Sequence, residues 1–247
     1  ESFIFDLEDE IKIILYRDSI LCKDIYFGYE EDEIAFTRRY LRKGDIFLDI
    51  GANVGLYSLS NSKIVGNEGQ IFAFEPTPDT FIRLQQNIQL NGLMNIQPFN
   101  IGFSNQKAIM DLHVSRDGYD AWNSFVITEF LKGTDTVKVN VDTLDSFLDR
   151  NAIRKVDLIK IDVEGWEKFV LQGAIKSLQR EDSPVLMVEF TETNTYAAGY
   201  DPVEIYDFMT DYGYKWYSYN QQKNTLIREK KKSHYPYENL IAVKNIE

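Results

Sequence analysis

The run Phe47-Leu-Asp-Ile-Gly-Ala-Asn-Val-Gly-Leu-Tyr57 limits the fold of this chain more than any other stretch. An apolar strand carries an acid near its end, turns at Gly51, and reaches a second glycine, Gly55, where a helix can begin. In open α/β sheets ligands bind at the carboxyl ends of the strands, where the turn and the helix N-terminus leave backbone N–H groups free. The spacing is Asp-x-Gly-x-x-x-Gly, so Asn53 stands where the dinucleotide fingerprint has its middle glycine. That glycine lets the backbone approach a pyrophosphate. Its absence favours a nucleoside ligand without one, and S-adenosylmethionine is the common example.

The rest of the chain reads as the sheet that such a turn requires. From Gly44 onward strands and helices alternate, the pattern of a parallel sheet wrapped by helices. Strands are expected over 45–50, 71–75, 96–100, 157–162 and 185–190. A helix over 77–91 turns Phe81, Leu84 and Ile88 to the sheet and stops at Gly92. An amphipathic run covers 167–178. Another helix, 202–212, opens on Asp201-Pro202-Val203-Glu204, which supplies an N-cap, a proline at the first helical position and a glutamate that reaches back. Residues 215–219 and 240–243 read as two closing strands joined by a polar loop, 220–238.

Two segments stand outside the alternation. Residues 1–43 read as an N-terminal extension, with 11–16 and 20–26 as a hairpin. The helix 30–41 has acids in its first turn and Arg38, Arg39 and Arg42 near its end. Too few apolar residues lie there for independent folding, so the extension is expected to pack on the main domain, 44–247. The second segment, 107–141, contributes two extra strands, 108–114 and 137–141, around a connection at 117–133. Long excursions at the ligand end of a sheet contribute to sites or merely elaborate the surface, and both readings stand.

Composition excludes several classes. A chain of 247 residues with 44% hydrophobic and 14% aromatic content is sized for one α/β domain. No apolar run approaches the ~20 residues of a membrane span, and no secretory leader opens the chain. Its first residue is Glu rather than Met, which is compatible with a piece of a longer polypeptide. Cys22 is the only cysteine, which excludes an intrachain disulfide and a thiolate-rich metal site; a cytoplasmic location is expected. The net charge of −12 makes nucleic acid an unexpected partner, since phosphates are held through Lys and Arg. The basic cluster from Arg228 to Lys232 reads as a solvated loop.

The chemistry concentrates at strand ends. Glu75, twenty residues beyond Gly55, closes the second strand, where an acid can accept both hydroxyls of a ribose. Lys160, Asp162 and Glu164 alternate along the fourth strand and so share a face. Ionisable groups in such a place must be paired or functional. Lys160 is expected to neutralise a carboxylate as an internal ion pair, leaving Asp162 and Glu164 for the active site. Glu189 ends the fifth strand and completes an acidic cluster. That cluster could bind substrate hydroxyls, act as a general base or hold a hard divalent cation. The cation is the least favoured of the three, because no histidine accompanies the acids. His113 shares the polar phase of its strand with Asp111 and Ser115 and reads as a surface residue. His234 lies in the charged loop, and Trp166 reads as packing under the helix that follows it.

Several blocks in order resemble the FkbM family of S-adenosylmethionine-dependent methyltransferases. They are Phe-Leu-Asp49-Ile-Gly51-Ala-Asn53-Val-Gly55, Ala-Phe-Glu75-Pro76-Thr-Pro78, Asn100-Ile-Gly-Phe-Ser104, Val-Asn-Val-Asp142-Thr-Leu-Asp145, Leu-Ile-Lys160-Ile-Asp162-Val-Glu164-Gly165 and Val-Glu189-Phe. The resemblance covers residues 44–215. Gly102 and Phe103 depart from an expected alanine and leucine, and Ser104-Asn105 from an expected Ser-Asp.

The resemblance implies an α/β class I, Rossmann-like fold with a seven-stranded, mostly parallel sheet and a closing antiparallel hairpin. It implies that Asp49, Gly51 and Asn53 surround the methionine part of S-adenosylmethionine. Glu75 would hold the ribose and Asn100 the adenine side, with Gly55 and Pro76 completing the cofactor set. Asp162 is the expected base or orienting group, with Glu164 and Glu189 as substrate-side partners. The family mostly methylates hydroxyls of sugars, polyketides and other secondary metabolites, so the expected acceptor is a small molecule or glycan, free or carrier-bound. Tyr119, Trp122, Tyr196 and Tyr200, in loops 110–135 and 191–201, offer aromatic faces to a sugar or apolar chain, or simply pack. A rival reading, an NAD-dependent oxidoreductase, is opposed by Asn53 and the Asp162-Val-Glu-Gly165 block. A non-catalytic binding module is opposed by the presence of Asp49, Gly51, Gly55 and Glu75 together.

Overall fold

The computed structural model describes residues 1–127 and 133–244. At its start β1 (Ser2–Asp6) and β2 (Lys12–Tyr16) form an antiparallel pair. The predicted partner of β2, residues 20–26, is instead helix α1 (Ile20–Tyr26). The cause is local: the Ser19 hydroxyl accepts the Cys22 N–H at 3.0 Å and starts a helix whose buried face is Leu21, Cys22 and Ile25. Helix α2 (Glu31–Tyr40) follows as expected, with Glu31, Asp32 and Glu33 in its first turn and Arg38 and Arg39 in its last.

The expected alternation then runs through β3 (Ile46–Ile50), α3 (Leu56–Val65), β4 (Gln70–Phe74), α4 (Pro78–Leu90) and β5 (Ile96–Phe99). The excursion folds as β6 (Gly102–Phe103), β7 (Ala108–Ser115) and β8 (Thr134–Asp142), a separate three-stranded sheet in the order β6-β8-β7. Next come α5 (Leu144–Arg150) and β9 (Leu158–Ile161). The run 167–178 is broken into α6 (Glu167–Gln172) and α7 (Ile175–Gln179). At the break Gly173 passes so close to the Ser104 carbonyl that a Cβ would stand 2.2 Å from it. The chain ends with β10 (Val185–Phe190), α8 (Glu192–Ala197), α9 (Val203–Asp211), β11 (Lys215–Asn220), β12 (Thr225–Arg228) and β13 (Glu238–Val243). Helix α9 starts as read: Asp201 Oδ1 accepts the Val203 N–H at 2.8 Å, and Glu204 accepts the Asp201 N–H at 3.0 Å.

The main sheet is mixed and eight-stranded, in the order β12-β11-β13-β10-β9-β3-β4-β5. The five strands from β10 to β5 are parallel, while β13 runs antiparallel to both β10 and β11. This corrects the expectation of seven strands. The additional one, β12, lies inside the predicted polar loop and pairs with β11 across a turn in which Asn220 accepts the Lys223 N–H. It is exposed along its whole length, so no buried alternation marks it in the sequence.

Alternate side chains along the strands bury on opposite faces. Leu48, Ile50, Phe72, Phe74, Ile159 and Ile161 pack toward α5, α6, α7 and α9, whereas Phe47, Ile71, Ala73 and Leu158 pack toward α3 and α4. Ile13 and Leu15 of β2 and Phe36 of α2 join that second cluster. The outer edge of β2 is also tied down, because Asn91 at the end of α4 and Asn87 within it accept the Lys12 and Ile14 N–H groups at 2.7 Å each. Among the described residues no helix is long and apolar enough to cross a membrane.

Candidate active site

The strand order reverses at β3, whose neighbours are β4 on one side and β9 on the other, so a crevice opens at their carboxyl ends. Gly51 makes that crevice geometrically possible. It has φ +81°, and a Cβ on it would lie 1.8 Å from the Asp162 carbonyl oxygen, so the turns after β3 and β9 touch backbone to backbone. Asn53 also takes a left-handed conformation, φ 47°, which turns its N–H toward Glu75. Glu75 Oε2 accepts that N–H at 3.0 Å and Oε1 accepts the Thr77 N–H at 2.8 Å. Only 5% of Glu75 is exposed, and burial pushes its pKa up to about 7 against the pull of these hydrogen bonds.

The expected cofactor residues divide into two groups. Gly51, Asn53, Glu75 and Pro76 line one cleft at the carboxyl ends of the strands. Asp49, Gly55 and Asn100 stand behind its wall. Asp49 is fully buried and accepts the Ser58 N–H at 3.1 Å and the Ser58 hydroxyl at 2.6 Å, binding β3 to α3. Gly55 opens α3 at φ +96°, with Leu84 packed where a Cβ would be. Asn100 donates to the carbonyls of Glu75 at 2.8 Å and Pro76 at 2.9 Å, so it braces the strand end rather than lining the cleft.

The other end of the cleft is acidic. Lys160, 4% exposed, donates to Asp162 Oδ2 at 2.9 Å and lies 4.7 Å from the centre of the Tyr57 ring, forming the expected internal pair. Burial would lower its pKa, but Asp162, Asp49 and Glu30 outweigh this and hold the ammonium protonated. Asp162 and Glu164 both line the cleft. Glu164 takes φ 53° and accepts from Asn194 Nδ2 at 2.5 Å. Glu189 is 4% exposed, and its Oε2 has no hydrogen-bond partner. Burial, then the charge of Asp162, pushes the Glu164 and Glu189 carboxyls well above the ordinary range. One oxygen from each of Asp162, Glu164 and Glu189 lies within 4.8 Å of the other two.

Sequence reasoning missed Glu30. It sits between α1 and α2 at φ 53° and lines the cleft with Tyr29. Its carboxylate accepts the Tyr57 hydroxyl at 2.6 Å, the Tyr237 hydroxyl at 3.0 Å and Asn239 Nδ2 at 3.4 Å. The helix dipole already accounted for an acid at that position, so nothing local distinguished it. The excursion also reaches the site: Asp120, Ala121, Asn123 and Phe125 line the cleft, and the Asp120 carbonyl accepts from Asn53 Nδ2 at 3.2 Å. Part of that segment, 128–132, lies outside the described residues.

The four loop aromatics diverge. Tyr119 and Trp122 stack on each other at 4.5 Å, and Tyr196 is exposed. Tyr200 is buried, donating to the Gly165 carbonyl at 3.1 Å and Glu167 at 3.3 Å, and so packs rather than facing the cleft. Trp166 packs as expected, against Phe169 and with its N–H on the Ser104 hydroxyl at 3.2 Å.

A β3–β9 crevice with an acid closing β4, and an antiparallel β13 between β10 and β11, is similar to the α/β fold of class I S-adenosylmethionine-dependent methyltransferases. The chain belongs to the FkbM methyltransferase family, whose Methyltransferase FkbM domain matches residues 49–216, well over half of its length. The fold is shared with a Geobacter metallireducens precorrin-6y C5,15-methyltransferase, 14% identical, which matches at a TM-score of 0.53 over 96% of each chain. A methyltransferase FkbM from Methylobacillus flagellatus, 16% identical, matches at a TM-score of 0.51 over 80% of this chain and 43% of its own. By sequence, hexuronic acid methyltransferase AglP of Haloferax volcanii is 36% identical over 58 residues, 24% of this chain and 23% of that protein. The match thus spans about a quarter of that relative's length.

Proposed function

We propose that the protein is an S-adenosylmethionine-dependent O-methyltransferase acting on a hydroxyl of a sugar or other small secondary metabolite, free or carrier-bound. The observation that carries this reading is one cleft with the Glu75 carboxylate at one end and Asp162 with Glu164 at the other. The wall also presents Asn53 Oδ1, buried and without a hydrogen-bond partner, as an acceptor for a polar ligand, beside Asp120, whose Oδ2 pairs with Arg83 at 3.7 Å. These groups fit a nucleoside cofactor. The 58-residue likeness to a hexuronic acid methyltransferase makes a sugar acid a reasonable first acceptor to assay.

When bound, S-adenosylmethionine supplies a methyl group made electrophilic by its sulfonium. The chain's own work is positional. Glu75 accepts ribose hydroxyls through the oxygens now shared with two backbone amides. The loop from Gly51 to Asn53 supports the amino-acid end, backed by Asp49. Asp162, held by Lys160, orients the acceptor hydroxyl and receives its proton, while Glu164 fixes the acceptor's remaining oxygens with Glu189 buried behind it on the substrate side. Residues 1–43 complete the acceptor side as an extension of the domain 44–247, and a reducing cytoplasm suits the single buried Cys22.

Asp162→Asn tests the assignment. Turnover is expected to fall by about 10²–10⁴-fold while S-adenosylhomocysteine still binds by calorimetry. Full turnover in the variant would remove Asp162 from the chemistry. Heat on titrating NAD, with none for S-adenosylhomocysteine, would return the oxidoreductase reading.

A further inference from the structure

We propose that Asp162, Glu164 and Glu189 bind one oxygen-seeking divalent cation, of the Mg²⁺, Mn²⁺ or Ca²⁺ class, at the carboxyl ends of β9 and β10. Geometry supplies the first reason. Two ligands of one ion can be no farther apart than twice the bond length, about 4.2 Å for Mg²⁺ and about 4.6–5.2 Å for Ca²⁺. The three carboxylate oxygens already lie within 4.8 Å of one another, inside the Ca²⁺ limit, and the smaller ions need them to draw closer.

The second reason is Glu189 itself. It is 4% exposed, and its Oε2 has no hydrogen-bond partner. Neighbouring buried acids each accept hydrogen bonds, Glu167 from the Val163 and Gly165 amides, Glu30 from Tyr57, and Asp49 from Ser58 through one oxygen while its Oδ1 also has no partner. The backbone at Glu189 is held by β13, where it stands opposite Asn239. A buried carboxylate left this way requires a cation or a proton.

Charge decides between a dication and an ammonium group. Lys160, which donates to Asp162, is the cation paired within the cluster. Three carboxylates against this one ammonium, on which Asp49 and Glu30 also draw, leave an excess of negative charge that a dication offsets more fully than a second ammonium does. The lack of histidine, which made a metal the least favoured sequence reading, is no obstacle, because hard cations take oxygen ligands alone. Asp162 and Glu164 face the cleft, so the open coordination positions point to the acceptor. Resting here on the methyl-transfer reading, we assign the cation the task of gathering adjacent acceptor oxygens. It would also admit an acceptor carboxylate that the acidic lining otherwise repels.

Mn²⁺ titration of the full chain, followed by electron paramagnetic resonance and calorimetry, tests the site. The expected result is a single Mn²⁺ per chain, displaced by Mg²⁺ or Ca²⁺, with affinity weakened by about tenfold or more in Glu189→Gln and in Glu164→Gln. Mn²⁺ should raise the melting temperature of the wild type and not of Glu189→Gln, whose metal-free melting curve checks its folding. Absence of binding at millimolar Mn²⁺, or equal binding by wild type and both variants, overturns the proposal. Normal S-adenosylhomocysteine binding and turnover in chelator remove the cation alone. Failure of S-adenosylhomocysteine to bind with and without Mn²⁺ removes the methyl-transfer reading and leaves the cation site standing.

Discussion

Glu75 bridges the turns after β3 and β4, with one oxygen on the Asn53 amide and the other on Thr77. Burial raises its pKa from 4.5 to about 7, so its protonated form is favoured in the folded state. The stability this contributes is fully present below about pH 4.5 and is lost as pH rises through about 7. The melting temperature of the ligand-free protein should therefore fall from about pH 5 to about pH 8, and Glu75→Gln should flatten part of that fall. S-adenosylhomocysteine, whose ribose hydroxyls favour the ionised carboxylate, should bind more tightly as pH rises through the same window. Calorimetry near neutrality in buffers of different ionisation enthalpy should register proton release. A variant that tracks the wild type at every pH would locate the titration elsewhere. The places of Glu75 and Asp162 at the cleft were legible in the sequence because a strand end is a sequence-local place. Glu30 was not, because its role comes from Tyr57 and Tyr237, 27 and 207 residues away.

Among elements, β3, β4, β9 and β10 were readable because strands buried on both faces are continuous apolar runs. Helix α1 and strand β12 were not. The composition of Ile20 to Tyr26 suits a strand, but propensity is a weak prior and the Ser19 cap overrides it. Strand β12 buries nothing, so its pairing comes from the turn before it. Ser19 has a second task, since its hydroxyl donates to Asp120 Oδ1 at 2.8 Å and so couples the extension to the excursion. Ser19→Ala should lower the unfolding free energy by about 1–2 kcal/mol, the cap plus one buried hydrogen bond. Denaturant midpoints measure this, and an unchanged midpoint would mean that packing alone holds α1.

At the scale of the molecule, the strand order places Glu75 and the acidic cluster along one crevice, and Gly51 lets the turns after β3 and β9 meet there. Gly51→Ala forces a Cβ into the Asp162 carbonyl in a left-handed conformation. It should cost about 2–4 kcal/mol of stability and abolish S-adenosylhomocysteine binding, read by thermal shift and calorimetry. Wild-type binding in that variant would show that the two turns separate freely. The mostly parallel sheet was implied by family resemblance, but the closure of the acidic end was not, because it joins distant parts of the chain. Glu30 lies ahead of the main sheet in sequence, while Tyr237 and Asn239 belong to its last segment, and the Glu30 carboxylate receives both of them together with Tyr57. That carboxylate works as a clasp. A polypeptide cut anywhere between the two parts leaves each fragment with an open ring, and only their reunion restores a pocket with four sides.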